Sequence, residues 1–168
     1  MSDPMTPILI SACLLGQPVR YDQSHKRINH TLLERWRDER RLIPICPEVA
    51  AGLPTPRPPA EIQNKRSGED ILAFQARIID SHRHDLTAEF IAGAQLALEL
   101  AQRHQVPLAI LKENSPSCGS SRIYDGSFTG TTLSGMGVTA ALLTRHRIRV
   151  FNENQLEEAA AFLAHYDA

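Results

Sequence analysis

Three cysteines, Cys13, Cys46 and Cys118, each follow a short apolar run. Cys13 closes Ile8-Leu9-Ile10-Ser11-Ala12, and Cys46 closes Leu42-Ile43-Pro44-Ile45. Cys118 stands a few residues past Leu108-Ala109-Ile110-Leu111, in Ser115-Pro116-Ser117-Cys118-Gly119. If the runs are parallel strands of one sheet, the thiols gather at its carboxyl edge, where open α/β sheets bind ligands. A lone cysteine reads as a small buried hydrophobe. Three at one topological position read as a metal centre with an open coordination position. Zinc is one occupant, but the paired Cys-x-x-Cys or Cys/His spacing of structural zinc sites is missing. His25, His82 and His84 are the candidates for completing such a site, yet His82-Arg83-His84-Asp85 has the composition of a polar turn. An iron–sulfur cubane suits thiolates better. With three cysteines, one of its irons is left for water or substrate.

Periodicity identifies the elements that must carry these residues. Residues 8–12, 42–45, 108–112 and 148–151 read as short buried strands. Asn29 is placed to cap a helix through about Arg41, with Leu32, Leu33 and Trp36 on one face. Pro47 suits a first helical position. Leu53 to Pro59 is too proline-rich for helix or central strand and reads as a stiff extended loop. Ile71 to Asp80 reads as one short strand or hairpin arm. Thr87 caps a helix over about 88–104, striped by Phe90, Ala94, Ala97, Leu98 and Ala101. Ser115 to Gly135 reads as a Gly/Ser-rich loop. An apolar helix follows from Gly137 to about His146, and Asn154 caps a last helix. The alternation predicts a single α/β domain over residues 1–168. It is three-layered and Rossmann-like, with a mostly parallel sheet and helices on both faces.

The 168 residues are 42% apolar and 22% charged, enough for a folded domain with a real core. A formal net charge of -1 argues against tight binding to duplex phosphates. The N-terminus lacks a signal-peptide pattern, and no apolar run approaches spanning length. The expected setting is the reducing cytoplasm, away from membranes, where an odd number of thiols stays free.

Longer motifs narrow the chemistry. Ile10-Ser11-Ala12-Cys13-Leu14-Leu15-Gly16, Pro18-Val19-Arg20-Tyr21-Asp22 and Cys46-Pro47-Glu48-Val49-Ala50-Ala51-Gly52-Leu53 resemble the DUF523 family. So do Pro54-Thr55-Pro56-Arg57-Pro58-Pro59-Ala60-Glu61-Ile62 and Lys112-Glu113-Asn114-Ser115-Pro116-Ser117-Cys118-Gly119. Ile123 to Gly130 and Gly135 to Ala140 extend the likeness, which runs from about Ile8 to Phe151. One departure is Tyr21-Asp22-Gln23, where the family has Tyr-Asp-Gly. The family's characterised branch is the thiouracil desulfidases. The resemblance implies a [4Fe-4S] cluster on Cys13, Cys46 and Cys118, an essential glutamate at Glu48 and a substrate-side serine at Ser115. The implied reaction is non-redox desulfuration of a thiolated uracil to uracil and hydrogen sulfide, with substrate sulfur on the open iron.

Glu48 lies two residues past Cys46, a placement for activating the attacking water. By itself it is also an ordinary first-turn acid. Ser117 competes with Ser115 for the pyrimidine. Arg57, set between prolines, is a candidate donor to a ring carbonyl. No nucleophile-elbow pattern surrounds Ser120 or Ser121, which removes serine-hydrolase chemistry. Alternatives are a sulfur carrier with Cys118 as reactive thiol, a cluster-bearing sensor, and desulfuration of thiouridine in RNA. The near-neutral charge favours a free base over RNA. Oligomeric state is not encoded in these patterns.

Overall fold

β1 (Ile8–Ser11) is buried on both faces, and its alternate side chains enter different cores. The computed structural model describes residues 5–23 and 26–167. After β1 come a 3-10 turn (Ala12–Leu15), α1 (Thr31–Asp38), β2 (Leu42–Ile45), α2 (Pro47–Ala50), β3 (Ala60–Ile62) and α3 (Gly68–Leu72). Then follow β4 (Ile78–Asp80), α4 (Thr87–Arg103), β5 (Leu108–Leu111), β6 (Arg122–Tyr124) and β7 (Thr132–Ser134). The chain ends with α5 (Val138–Arg145), β8 (Arg149–Asn152) and α6 (Leu156–Asp167).

The main sheet has the order β2-β1-β5-β8, with every neighbouring pair parallel. Ile8, Ile10, Leu108 and Ile110 face α1 and α6, meeting Leu33, Trp36, Leu156 and Leu163. Leu9, Ala109 and Leu111 face α4 and α5, meeting Ala97, Ala101, Ala140 and Leu143. Continuous apolar runs, rather than alternating ones, follow from helices covering both faces. Each fully buried Ile or Leu contributes about 1.5–3 kcal/mol relative to exposure. From β1 the chain runs outward to β2, then crosses back to place β5 on the other side of β1. The order therefore reverses between β1 and β5, and a ligand crevice opens at such a point beyond the strand carboxyl ends.

Several local expectations are corrected. The α1 cap is His30, not Asn29: its Nδ1 accepts from the Leu32 amide at 3.1 Å. The helix also stops at Asp38, before Arg41. Thr87 is the first residue of α4, and Asp85 takes both its amide (3.0 Å) and its hydroxyl (2.6 Å). The stretch from Ile71 to Asp80 is divided. Ser67 and Asp70 form a capping box that starts α3, and only Ile78–Asp80 is strand, paired antiparallel with β3. The Gly/Ser-rich region contains the β6–β7 hairpin. Both small sheets cover a third core around Ile62, Ile71, Ile78, Phe90 and Ile123. α6 begins at Leu156, two residues beyond Asn154.

Candidate active site at the carboxyl edge

A cavity of about 640 Å³ opens beyond the carboxyl ends of β1, β2 and β5. Cys13, Cys46, Cys118, Glu48, Ser115 and Arg57 all line it. Each arrives by a different local device. Cys13 lies in the 3-10 turn after β1, which Gly16 ends at φ +92°, a conformation that costs glycine no Cβ clash. The Cys13 carbonyl then accepts from the amides of Gly16 and Lys26. Cys46 occupies the position before α2, and Pro47 begins that helix with its φ already suited.

The Cys46-Pro47-Glu48 corner depends on a glycine of the neighbouring helix. A Cβ at Gly93 of α4 would lie 2.4 Å from the Pro47 carbonyl oxygen. Only a residue without a side chain lets the two backbones approach so closely.

The Cys118 turn is tied at both ends. Ser115 Oγ accepts from the amides of Ser117 (3.0 Å) and Cys118 (3.1 Å). Val138 and Thr139, at the start of α5, donate their amides to the Pro116 and Ser117 carbonyls. Ahead of the turn, buried Glu113 acts as a hub. Its Oε1 accepts from the amides of Ser120, Ser121 and Arg122 at 3.0–3.1 Å. Its Oε2 accepts from Ser121 Oγ and Asn152 Nδ2, both at 2.6 Å. Burial pushes this carboxyl up, but hydrogen bonds from the Ser121 side chain and nearby amides prevail, and its pKa lies below the ordinary value. Glu113 had no assigned role in the sequence. The signal available was a Gly/Ser-rich loop whose amides would need a buried acceptor.

Two sequence candidates have their polar groups engaged within the protein. Ser117 is 1% exposed, does not line the cavity and shares a 2.7 Å hydrogen bond with Thr139 Oγ1. It packs the turn rather than meeting a pyrimidine. Arg57 lines the cavity, but every guanidinium nitrogen already has protein acceptors. Nε donates to Glu48 Oε2 at 2.9 Å and Nη2 stands 2.7 Å from the same oxygen. Nη2 also donates to the Val19 carbonyl, and Nη1 to the Pro54 carbonyl and Thr55 Oγ1. Its donors are therefore all engaged within the protein. His82 and His84 form a turn around Asp80, which accepts both their amides, and they do not line the cavity. His25 lies outside the described residues.

All three thiols are free. Burial pushes Cys13 up to about 11, and charge on Cys46 adds to the rise against the pull of Arg20. Burial pushes Cys46 up too, opposed by the Val49 amide. Cys118 is driven well above the thiol range by burial, then by charge on Cys46 and Glu48 and, more weakly, on Cys13. The sulfurs are thus near enough to repel one another once ionised. Such thiols are poor free nucleophiles, which counts against Cys118 as a sulfur carrier. A multivalent cationic body would relieve both the burial and the repulsion. Among the described residues, no three His, Cys, Asp or Glu side chains converge tightly enough to hold one metal ion. Three thiols on one cavity are a donor set of the kind that selects iron–sulfur clusters.

The fold and site define an α/β protein with a trio of thiols and a carboxylate in one switch-point cavity. The chain belongs to the 2-thiouracil desulfurase family, whose model matches residues 8–155. YbbK of Bacillus subtilis (strain 168), an uncharacterized protein, is 42% identical over 151 residues, spanning 90% of this chain and 98% of its own. Among solved structures, the [4Fe-4S]-dependent thiouracil desulfidase TudS (DUF523Vcz) is 50% identical with a TM-score of 0.86. That match covers 95% of this chain and 98% of the other. Among the described residues, no helix is long and apolar enough to cross a membrane.

Proposed function

We propose that residues 1–168 form one cytoplasmic desulfidase domain that converts a thiolated uracil and water to uracil and hydrogen sulfide. A carbon–sulfur double bond is exchanged for a carbon–oxygen one, and no electrons are gained or lost. Cys13, Cys46 and Cys118 hold a [4Fe-4S] cluster. When bound, it supplies one iron without a cysteine, a Lewis-acidic position for the substrate's sulfur. The observation that carries this reading is the meeting of all three thiols with Glu48 in one cavity. The likeness to TudS, named as a [4Fe-4S]-dependent thiouracil desulfidase, supports it.

Glu48 takes the proton of the attacking water. Its side chain is 17% exposed, open enough to reach the cavity while Arg57 holds one oxygen. Ser115 uses its lone pairs on the turn amides. The hydroxyl proton remains to donate to the pyrimidine or to the water. The substrate is a small thiolated pyrimidine rather than RNA, in keeping with the net charge of -1.

The test is Glu48→Gln in anaerobically prepared protein whose iron and acid-labile sulfide are unchanged. Sulfide release falls by about 10²–10⁴-fold if Glu48 is the base. Near-normal turnover would remove it from that role. Changing any one of the cysteines to Ser lowers iron content; unchanged iron and turnover together would overturn the ligand set.

A further inference from the structure

We propose that Arg57 is a positioning residue that acts through Glu48, clamping Oε2 so that Oε1 is presented to the cavity. The inference rests on Glu48 serving as the base. Arginine and carboxylate commonly pair as two forks, one nitrogen to each oxygen. Here Nε and Nη2 converge on Oε2 alone, at 2.9 and 2.7 Å. Oε1 lies outside that grip.

The clamp itself is fixed from several sides. The Arg57 side chain is 5% exposed, and Nη1 is held by the Pro54 carbonyl and Thr55 Oγ1 within its own loop. Nη2 reaches the Val19 carbonyl at 3.0 Å, and the Arg57 amide donates to the Tyr21 carbonyl. One planar cation therefore joins the loop after β1, the first turn of α2 and the proline-rich loop. The Cys46 thiol also approaches the Val19 carbonyl, at 3.9 Å. The Cys46 ligand and the Arg57 clamp thus share one carbonyl acceptor. A guanidinium held at all its nitrogens cannot swing, so its carboxylate partner inherits a fixed direction. A lysine could hold Oε2 with one bond, but a point charge cannot also meet Val19, Pro54 and Thr55.

The experiment is a double-mutant cycle in cluster-loaded protein, with Arg57→Gln and Arg57→Lys each made alone and with Glu48→Gln. Steady-state kinetics, iron content and calorimetric affinity for uracil are measured for every variant. Misplacing a reacting group by about 1 Å costs on the order of 10²-fold. Arg57→Gln is therefore expected to lower kcat about 10²-fold, with KM, uracil affinity and iron within about twofold. Arg57→Lys should recover part of that loss. In the Glu48→Gln background both Arg57 changes should alter turnover by less than about twofold, because coupled residues are not additive. An equal loss in both backgrounds would overturn the inference. So would a raised KM and weakened uracil binding at constant kcat, which would return Arg57 to direct ring contact. Should Arg57→Gln lose its iron, the Arg57→Lys cycle decides by the same criteria. Unimpaired turnover of Glu48→Gln alone would instead overturn the base assignment, a separate failure.

Discussion

Replacing Glu113 with Gln tests whether a buried carboxylate organises the Cys118 loop. Gln retains one oxygen for the amides of Ser120, Ser121 and Arg122, but puts an NH₂ where Oε2 accepted from Ser121 Oγ and Asn152 Nδ2. The serine hydroxyl can turn and accept. The Asn152 amide cannot flip freely, because its Oδ1 already accepts from the Asn154 amide at 2.8 Å. One charged hydrogen bond is lost and one buried donor is left facing another, costing about 2–3 kcal/mol. For a chain of this size that lowers Tm by roughly 4–12 °C. The pH dependence has a definite sign. The folded pKa of Glu113 is depressed, so its stabilisation is complete above the unfolded value of 4.5 and is lost as pH falls through the folded pKa. Urea unfolding of both proteins at pH 7 and at successively lower pH is the assay. The gap should be largest at pH 7 and shrink in acid, and the variant should also bind less iron because Cys118 rides on this loop. A difference below about 0.5 kcal/mol at pH 7, within the usual range for a surface change, would refute the reasoning.

Gly93→Ala forces a Cβ toward the Pro47 carbonyl oxygen, 2.4 Å away, and should cost about 1–3 kcal/mol despite the gain in helix propensity. Chemical denaturation and iron content both report it, and unchanged values would show that α2 and α4 can separate without consequence. In cluster-free folded protein, Cys13 at about 11 leaves only roughly one thiol in several thousand ionised at pH 7.5. Alkylation should therefore be about 10²–10³-fold slower than in urea-unfolded protein and accelerate with rising pH. Labelling of all three thiols at the unfolded rate would contradict the buried, neutral state described above.

Much of the architecture was written in short-range patterns. The apolar runs ending near Cys13, Cys46 and Cys118 are β1, β2 and β5; β1 and β5 are apolar at every position but Ser11 because they are covered on both faces, while β2 is an edge strand that tolerates the exposed Pro44. Pro47 at the first turn of α2 and the stripe of Phe90, Ala94, Ala97 and Ala101 in α4 are local signals of the same kind. The cavity's thiols, Glu48 and Ser115 were legible because each lies within a few residues of a strand end. Caps were less so. Asn29 and His30 both offer a side-chain acceptor, and it is His30 Nδ1 that takes the Leu32 amide.

What lay beyond the linear pattern was the partner of each polar group. Nothing near Ser117 says that it will meet Thr139, 22 residues on, nor that Glu113 will gather Asn152, 39 residues on. Arg57 between prolines looks like a free cation until α2 and the loop after β1 close around it. Apolar periodicity is a property of one segment and survives in isolation. A hydrogen-bonding role is assigned only when desolvation forces each buried donor to find an acceptor among whatever segments packing has brought alongside.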